Sequence, residues 1–175
     1  MIMKNIFFFL AITGFMACNN KSISQTKAQD AMSESAFSAD EKVIKTEEEW
    51  RSELNDLEFK VLRKAGTERP HTGDLLSNKE DGVYTCRGCQ LPLFDSDTKY
   101  KSGTGWPSYY EPINEKNVGT DTDYKLGYAR SEVHCNRCDG HLGHVFNDGP
   151  EPTGLRYCIN SVSLDFEARE KGEQH

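Results

Sequence analysis

The spacing of apolar residues predicts two short helices at the start of the folded part of the chain. Thr46-Glu47-Glu48-Glu49 matches a capping box, which places a helix start at Thr46. Trp50 and Leu54 follow at positions i and i+4 and would form the buried side of this helix. A second helix is predicted from Asp56 to Ala65, ended by Gly66 in a left-handed conformation. Its apolar stripe would consist of Leu57, Val61 and Leu62.

Beyond Gly66 the chain changes to short runs of aromatic and β-branched residues separated by Gly, Pro and Asp. This pattern predicts short antiparallel strands. The predicted fold class is therefore mainly β: a small antiparallel β-domain of two packed sheets with two N-terminal helices. The runs are Val83-Tyr84-Thr85, Leu91 to Phe94, Tyr124 to Val133, Leu142 to Phe146, and Arg156 to Phe166.

The alternation of polar and apolar residues changes phase within the last of these runs. If the chain is extended here, Arg156, Cys158 and Asn160 share one face of a strand, and Tyr157 and Ile159 share the other. The apolar positions then move to the other phase, so the buried face switches near residues 160–161. A bulge or bend at this point would reconcile the two halves. The apolar positions after the switch are Val162, Leu164 and Phe166.

The first seventeen residues have the pattern of a secretory signal. They carry one charge, Lys4, followed by an apolar run from Ile6 to Ile12 that is too short to span a bilayer. Phe15-Met16-Ala17-Cys18 resembles the lipobox of bacterial lipoproteins, in which the cysteine becomes the acylated N-terminus. We expect an exported, periplasm-facing lipoprotein that is anchored to the membrane through Cys18. The alternative is an ordinary signal peptide cleaved nearby, with Cys18 left as a spare thiol or removed.

The composition of the remaining residues predicts a tether, a domain and a tail, and it argues against nucleic acid as a partner. Residues 18–41 are rich in Ser, Lys, Gln, Asn, Ala and Asp and are predicted to form a flexible tether. Residues 42–168 have the size of one domain, and residues 169–175 form a polar tail. The formal charge is −7, and it becomes −8 once Lys4 is removed with the signal. A nucleic-acid partner is therefore not expected, because phosphate contacts need concentrated Lys and Arg.

Two Cys-x-x-Cys pairs, Cys86/Cys89 and Cys135/Cys138, predict a metal site. Each pair places two sulfurs on one tight turn, and two such turns supply the four ligands of a tetrahedral zinc ion. Since four thiolates leave no position for water, one structural Zn²⁺ per chain is expected rather than a catalytic one. The alternative is a pair of local disulfides, which an oxidising exported compartment would permit.

Cys158 is the cysteine left without a structural role. A thiolate is the reactive form of cysteine, and the adjacent Arg156 would lower its pKa. His141 and His144 are candidates for the acid that such a site needs, although a regular strand would point them to opposite faces unless Gly143 permits a kink. The alternative is that one histidine is buried and hydrogen-bonded while the other faces solvent.

A loop from Ser102 to Ser108 places Trp106 between glycine-rich and proline residues. A rigid indole beside a tight backbone is suited to an apolar recognition pocket. The alternative is that Trp106 belongs to the core.

Five segments, in this order along the chain, carry a family resemblance: Gly66-Thr67-Glu68-Arg69-Pro70, Pro92-Leu93-Phe94, Ser102-Gly103-Thr104-Gly105-Trp106-Pro107-Ser108, His141-Leu142-Gly143-His144-Val145-Phe146-Asn147-Asp148-Gly149-Pro150 and Gly154-Leu155-Arg156-Tyr157-Cys158-Ile159-Asn160-Ser161. Together they closely resemble methionine-R-sulfoxide reductase, the B-type enzyme. The resemblance covers about Thr46 to Phe166.

The resemblance implies a β-rich fold with a structural zinc ion held by the two Cys-x-x-Cys turns. It also implies an enzyme that reduces the R epimer of methionine sulfoxide in oxidised proteins. Cys158 would be the nucleophile and Arg156 would help to stabilise its thiolate. His141 and His144 would bind or protonate the sulfoxide oxygen.

The resemblance further implies that Trp106, with Phe146, holds the methyl group of the substrate, and that Asn160 supports the polar network. In many family members a cysteine in the Gly-Trp-Pro loop resolves the oxidised nucleophile, but Thr104 occupies that position here. We therefore expect a one-cysteine cycle. An external thioredoxin-like thiol would reduce the sulfenic acid of Cys158 directly.

Two other functions fit parts of the sequence. A non-enzymatic zinc-ribbon-like module that binds another exported protein would use the histidines and Trp106 for packing and Cys158 as a buried thiol. A thiol-disulfide oxidoreductase would use one Cys-x-x-Cys pair as its redox motif. The doubled pairs argue against the second function, because a redox motif needs only one.

Overall fold

Two capped helices begin the fold. The computed structural model describes residues 38–125 and 127–170. Helix α1, Glu47–Glu53, starts from Thr46, and helix α2, Asp56–Lys64, starts from Asn55. In both, the cap side chain accepts a backbone N–H of the first turn and a glutamate of that turn accepts the cap N–H, so the capping box is complete.

The buried face of α2 differs from the predicted stripe at one position. Val61 and Leu62 are buried as predicted, but Leu57 is 42% exposed and Phe59 is buried instead, with 4% exposure. Phe59 lies three residues before Leu62 and therefore on the same side of the helix. The Arg51 guanidinium lies 4.0 Å from the centre of the Phe59 ring and covers it.

The end of α2 also differs from the prediction. Ala65, rather than Gly66, adopts the left-handed conformation, with φ of 46°. Gly66 meets a different requirement, because a Cβ atom there would lie 2.8 Å from the carbonyl oxygen of Lys60. The glycine thus permits a close approach to the last turn of the helix.

Nine strands in the described residues form two antiparallel sheets. They are β1 Gly82–Cys86, β2 Pro92–Asp95, β3 Lys99–Tyr100, β4 Ser108–Tyr109, β5 Val118–Asp123, β6 Arg130–Cys135, β7 His141–Phe146, β8 Arg156–Ile159 and β9 Leu164–Ala168. The smaller sheet has the order β2-β1-β9, and the larger has the order β3-β4-β8-β7-β6-β5. All strand pairs are antiparallel.

Aromatic side chains join the two sheets. Tyr84 of β1 and Phe94 of β2 both contact Tyr109 of β4, with ring centroids 5.2 Å and 4.4 Å apart. Phe94 also contacts Tyr157 of β8 at 5.7 Å. Since each contact crosses from the smaller sheet to the larger, these rings form the centre of the core. The predicted mainly β fold with two packed sheets and two N-terminal helices is confirmed.

One predicted strand is misplaced. The run from Tyr124 to Val133 is a strand only from Arg130 onward, and residues 124–129 connect β5 to β6. Strand β5 itself was not predicted. It lies at the edge of the larger sheet, and its middle residues Thr120-Asp121-Thr122 are exposed, so hydrophobicity does not mark it.

The predicted phase change after Cys158 is confirmed. A 3₁₀ turn, Ser161–Ser163, separates β8 from β9. The two strands belong to different sheets, which explains why their apolar residues alternate in different phases.

The N-terminal predictions lie outside the described residues. These are the signal segment, Cys18 and the tether up to residue 37, together with residues 171–175 of the tail. Arg169, at the start of the predicted tail, forms ion pairs with Asp81 and Asp95. Among residues 38–125 and 127–170, no helix is both long and apolar enough to cross a membrane.

Strands β7 and β8 approach each other closely at Gly143. A Cβ atom there would lie 2.0 Å from the carbonyl oxygen of Cys158, in a backbone fixed by sheet pairing. We expect Gly143→Ala to lower the free energy of unfolding by about 3 kcal/mol, measured by urea denaturation.

Gly154→Ala is the control for this prediction. Gly154 has φ of 70°, and no atom lies within 4 Å of the position that a Cβ would take, so only backbone strain of about 1 kcal/mol is expected. Equal losses in the two variants would contradict the close approach as the cause.

Candidate active site and metal centre

Four cysteine sulfurs from the two Cys-x-x-Cys turns meet between the two sheets. Cys86 is the last residue of β1 and Cys89 lies in the turn that follows, and Cys135 is the last residue of β6 and Cys138 lies in the turn that follows. Their sulfur atoms all lie within 4.8 Å of one another. The sulfur contacts join the two turns, at 3.7 Å for Cys86 and Cys138 and 3.5 Å for Cys89 and Cys135.

These distances fit a tetrahedral metal ion with four thiolate ligands. Metal–sulfur bonds of about 2.3 Å give sulfur pairs separated by about 3.8 Å. A disulfide would need about 2.0 Å, and the five cysteines of the described residues are free. Local disulfides within each turn are therefore not formed in this structure.

The two turns share one backbone conformation. The residue after each second cysteine, Gln90 and Asp139, has a positive φ of 61° and 54°. Its N–H donates to the carbonyl of the first cysteine, at 2.7 Å for Cys86 and 2.9 Å for Cys135. Both turns are thus held so that their thiols converge.

The thiols interact too closely to ionise together without a cation. Hydrogen bonds within the cluster lower the pKa of Cys89 and Cys138 and raise the pKa of Cys86 and Cys135. A bound dication would favour the ionised form of all four. The donor set therefore fits a metal that prefers four thiolates.

Cys158 lies on the outer face of the larger sheet. Its neighbours along β8, Tyr157 and Ile159, point into the core, so Cys158 points away from it. In the sheet it pairs with Ser108 of β4 on one side and with His144 of β7 on the other. Directly paired residues point to the same face, so a hydroxyl and an imidazole flank the thiol.

Arg156 shares this face with Cys158, but its strongest partner is a carboxylate. Its guanidinium donates two hydrogen bonds to Asp148, at 2.8 Å and 2.9 Å, and lies 4.3 Å from the centre of the Phe146 ring. Burial raises the pKa of the Cys158 thiol, and the Thr104 hydroxyl and the Arg156 charge only partly oppose this. The surroundings of Cys158 in the substrate-free protein therefore favour the neutral thiol over the thiolate.

The two histidines lie together, as a proton-donating pair would require. The ring centroids of His141 and His144 are 5.5 Å apart. The irregularity that permits this lies in β7 itself: Val133 pairs with Gly143 and the next residue, His134, pairs with His141, so Leu142 is an extra residue in β7. The expected irregularity therefore lies directly beside Gly143, which also permits the close approach to β8.

Each histidine is held by a carboxylate. Nδ1 of His141 lies 2.6 Å from Glu132, and Nε2 of His144 lies 2.9 Å from Asp123, which also pairs with Arg130. Burial lowers the pKa of His141, and Glu132 opposes this shift. Its Nε2 atom is buried without a hydrogen-bond partner among the described residues, which leaves that nitrogen available to a substrate.

Asn160 acts on the backbone around the site. Its amide donates to the carbonyl of Leu142 at 2.8 Å and accepts the N–H of Glu68 at 3.0 Å. The Glu68 carboxylate accepts the N–H groups of Ser161 and Val162, at 2.6 Å and 3.1 Å. Burial raises the pKa of Glu68 despite these bonds.

The same glutamate orients Trp106. The indole N–H donates to the carbonyl of Glu68 at 3.3 Å, so the indole is tied to the turn that follows Cys158. A cavity of about 540 Å³ is lined by this indole together with Tyr84, Lys99 and Tyr100. Cys158, His141 and His144 do not line it. Trp106 is half-buried rather than part of the core.

Comparison with known proteins agrees with this geometry. The model of the SelR domain family matches residues 54–168, which include the four clustered cysteines, both histidines and Cys158. The chain belongs to the SelR family. This confirms the resemblance found in the sequence.

Close relatives of this SelR-family protein carry the name peptide methionine sulfoxide reductase MsrB. The protein from Methanosarcina barkeri is 55% identical over 136 residues, which cover 78% of this chain and 96% of the relative. That from Herminiimonas arsenicoxydans is 58% identical over 128 residues, 73% of this chain and 93% of the relative. That from Pseudomonas entomophila is 55% identical over 130 residues, 74% of this chain and 99% of the relative.

Several residues of the SelR-family site were missed in the sequence. Glu132 and Asp123 are separated from the histidines along the chain and meet them only through strand pairing. Asp148 and Glu68 lie inside the segments that carried the resemblance, but a single carboxylate in a polar segment has no distinguishing spacing. Only the register of the strands could have identified Glu132 and Asp123 as the partners of the histidines.

Glu132→Gln tests the proton-delivering role of His141. Loss of the carboxylate removes the interaction that raises the pKa of His141, so the protonated fraction at neutral pH falls. We expect the descending limb of the pH profile of kcat to move to lower pH. A shift of one pKa unit would reduce kcat at pH 7 about tenfold.

Asp121→Asn is the matched control. Asp121 pairs with Glu132 in the sheet, so this substitution removes the same charge one strand further from the histidines. Its side chain is largely exposed and faces His134. Equal displacement of the pH profile in both variants would contradict a specific role for Glu132.

Proposed function

We propose that this SelR-family enzyme reduces the R epimer of methionine sulfoxide to methionine, with Cys158 as the nucleophile. The proposal rests on one observation. Cys158 is the one cysteine of the described residues outside the four-thiol cluster, and it lies in register beside His144 within the matched family region. The names of the relatives supply the substrate class.

The reaction begins with the Cys158 thiolate attacking the sulfur of the sulfoxide. This attack forms an S–S bond between Cys158 and the substrate, and a proton reaches the sulfoxide oxygen. The hydroxyl group then passes to the Cys158 sulfur as the S–O and S–S bonds of the substrate sulfur break, and methionine leaves as the two-electron reduced product. Cys158 takes the oxygen and becomes a sulfenic acid, which is the two-electron oxidised state of the thiol. His141 and His144 bind the sulfoxide oxygen and supply the proton.

The remaining residues position the substrate. Trp106 and Phe146 hold the methyl group, and the charge of Arg156 stabilises the thiolate as it forms. Asn160 acts indirectly, because it holds the Glu68 backbone that accepts the indole N–H of Trp106. The sulfur of methionine sulfoxide carries two apolar substituents and one polar oxygen, which match the apolar and polar parts of the site.

The cycle is completed by an external thiol. Two thiols of a thioredoxin-like partner reduce the sulfenic acid, which returns the Cys158 thiol and releases water and a disulfide of the partner. Thr104 lies 3.7 Å from the Cys158 sulfur, and its hydroxyl cannot form a disulfide. The four clustered thiols are engaged with one another, which leaves no resolving cysteine in the described residues.

We also propose that the four-thiol cluster holds one Zn²⁺ in a structural role. The ligands come from turns after β1 and β6, so the ion would pin the smaller sheet to the larger. The ion supplies no step of the reaction, because its four positions are filled by protein. A thiol-disulfide oxidoreductase is disfavoured, because its redox pair would be consumed as metal ligands.

The sequence of the first eighteen residues supports a further proposal on location. The protein would be exported and anchored by lipid on Cys18, facing the periplasm, and would repair oxidised exported proteins there. The mass of the mature protein from native membranes tests this. A diacylated N-terminal cysteine is expected, and an unmodified Cys18 would refute the anchor.

Cys158→Ser tests the nucleophile. We expect reduction of methionine-R-sulfoxide by the wild-type protein with dithiothreitol, and a loss of at least about a thousandfold in the variant, because a serine hydroxyl stays protonated. Activity is measured by quantifying methionine from separated R and S epimers. Equal turnover of R epimer by both proteins would refute the assignment, and equal turnover of the two epimers would refute the specificity.

Cys86→Ser tests the metal. Loss of one of four thiolates is expected to remove the ion and to lower Tm by about 10 °C or more, since metal binding contributes to folding. Elemental analysis should give one zinc per wild-type chain. Cys158→Ser is the matched control and should retain zinc; equal zinc in the two variants would contradict the cluster as the site.

A further inference from the structure

A chain of three hydroxyl groups leads away from the Cys158 sulfur. Thr104 Oγ1 lies 3.7 Å from Cys158 Sγ and 2.8 Å from Ser102 Oγ. Ser102 Oγ lies 2.7 Å from Ser108 Oγ, and Ser108 donates to the carbonyl oxygen of Trp106 at 3.2 Å. The chain therefore has four contacts and ends at an atom that can only accept.

The number of protons decides the direction of these hydrogen bonds. With a neutral thiol, Cys158 and the three hydroxyls supply four protons for four contacts, and every donor points away from the sulfur. Ionisation removes one proton. The thiolate then gains a donor, with a proton still between each pair of neighbouring hydroxyls, only if all three hydroxyls reverse, which leaves the Trp106 carbonyl without the bond from Ser108. Reversal of Thr104 alone would leave its oxygen 2.8 Å from that of Ser102 with no proton between them.

We propose that Thr104 is a further residue of the active site, whose hydroxyl accepts from the Cys158 thiol and donates to its thiolate, with Ser102 and Ser108 setting this direction. The proposal rests on the assignment of Cys158 as the nucleophile. Thr104 contacts the reacting sulfur directly. Ser102 and Ser108 act through Thr104 and are positioning residues.

The position of the chain in the fold makes this reversal possible. Ser108 is fully buried and pairs with Cys158 in the sheet, so its hydroxyl is held beside the loop. Ser102 also accepts the N–H of Thr104 at 3.4 Å, which keeps the loop closed over the three groups. A hydroxyl needs only rotation about one bond to exchange its donor and acceptor roles.

Other groups around Cys158 carry charge or titrate. They are Arg156 on its own strand, Asp148 paired with Arg156, Tyr100 on β3 and His144 on β7. None of them belongs to the hydroxyl chain. Substitutions in the hydroxyl chain leave these groups in place, so a change in the reactivity of Cys158 reports the hydroxyl chain itself.

Substitutions of two neighbouring members of the hydroxyl chain give opposite expectations. Thr104→Val keeps the shape of the side chain but removes the donor to the thiolate, so ionisation becomes less favourable. Ser102→Ala frees Thr104 from its second partner and leaves Ser108 bonded to the Trp106 carbonyl in both states. Ionisation then loses no contact, and it becomes more favourable than in the wild-type protein.

The experiment measures alkylation of Cys158 by iodoacetamide against pH in the full, metal-loaded chain. Modification is followed by mass spectrometry in the tryptic peptide Tyr157–Arg169, in which Cys158 is the sole cysteine. For Thr104→Val we expect the alkylation midpoint to rise by about one to two pH units. The rate at a pH below both midpoints would fall about ten- to hundredfold, as for loss of a hydrogen bond to a charged group.

Two variants separate this hydroxyl role from damage to the loop. Thr104→Ser keeps the hydroxyl and should restore a midpoint near that of the wild-type protein, and Ser102→Ala should lower the midpoint. Thr120→Val, an exposed position on β5, is the matched control and should leave it unchanged.

A midpoint for Ser102→Ala at or above the wild-type value, or equal rises for Thr104→Val and Thr104→Ser, would overturn the proposal. Alkylation needs no sulfoxide, so this failure is distinct from failure of the proposed reductase activity.

Discussion

The site depends on the register of strand β8 between its two neighbours. Ser108 and His144 both pair with Cys158, so the thiol has a hydroxyl on one side and an imidazole on the other. A slip of one residue would move Cys158 into the core and expose Tyr157, which packs against the aromatic centre. The apolar contacts of the core thus decide where the reactive sulfur points.

The C-terminal end of β8 is secured by two different interactions. Gly143 lets β7 approach the carbonyl of Cys158, and Glu68 holds the turn that follows the strand through two backbone N–H groups. Because the Glu68 carbonyl also accepts the Trp106 indole N–H, one buried residue links the strand that carries Cys158 to the proposed substrate contact. The four-thiol cluster, at the ends of β1 and β6, joins the sheets elsewhere.

The surroundings of Cys158 and His141 decide which protonation state each group favours. Burial raises the pKa of Cys158 and lowers that of His141, so both groups favour their neutral forms in the free protein. The proposed reaction needs a thiolate and a proton donor. Substrate binding and the carboxylate of Glu132 must therefore help to form the Cys158 thiolate and the protonated His141. Neither charged form needs to be fully populated before the substrate binds.

Local patterns in the sequence predicted the elements that have local causes. The capping box at Thr46, the change of phase after Cys158 and the paired Cys-x-x-Cys turns each depend on residues close in the chain. The exposure of Leu57 and the polar edge strand β5 depend on what packs against them, which periodicity does not report. The pairing register of the strands brings Glu132 and Asp123 to the histidines, and local sequence patterns do not report that register.

The central claim is that Cys158 alone takes the oxygen of the sulfoxide. The direct measurement is the mass of the tryptic peptide Tyr157–Arg169 after one turnover with methionine-R-sulfoxide and no reductant, a peptide that contains Cys158 and no methionine. A gain of about 16 Da is expected, the mass of one oxygen in a sulfenic acid. Formation of methionine while this peptide stays unmodified, or appears in a disulfide with another cysteine of the chain, would contradict it.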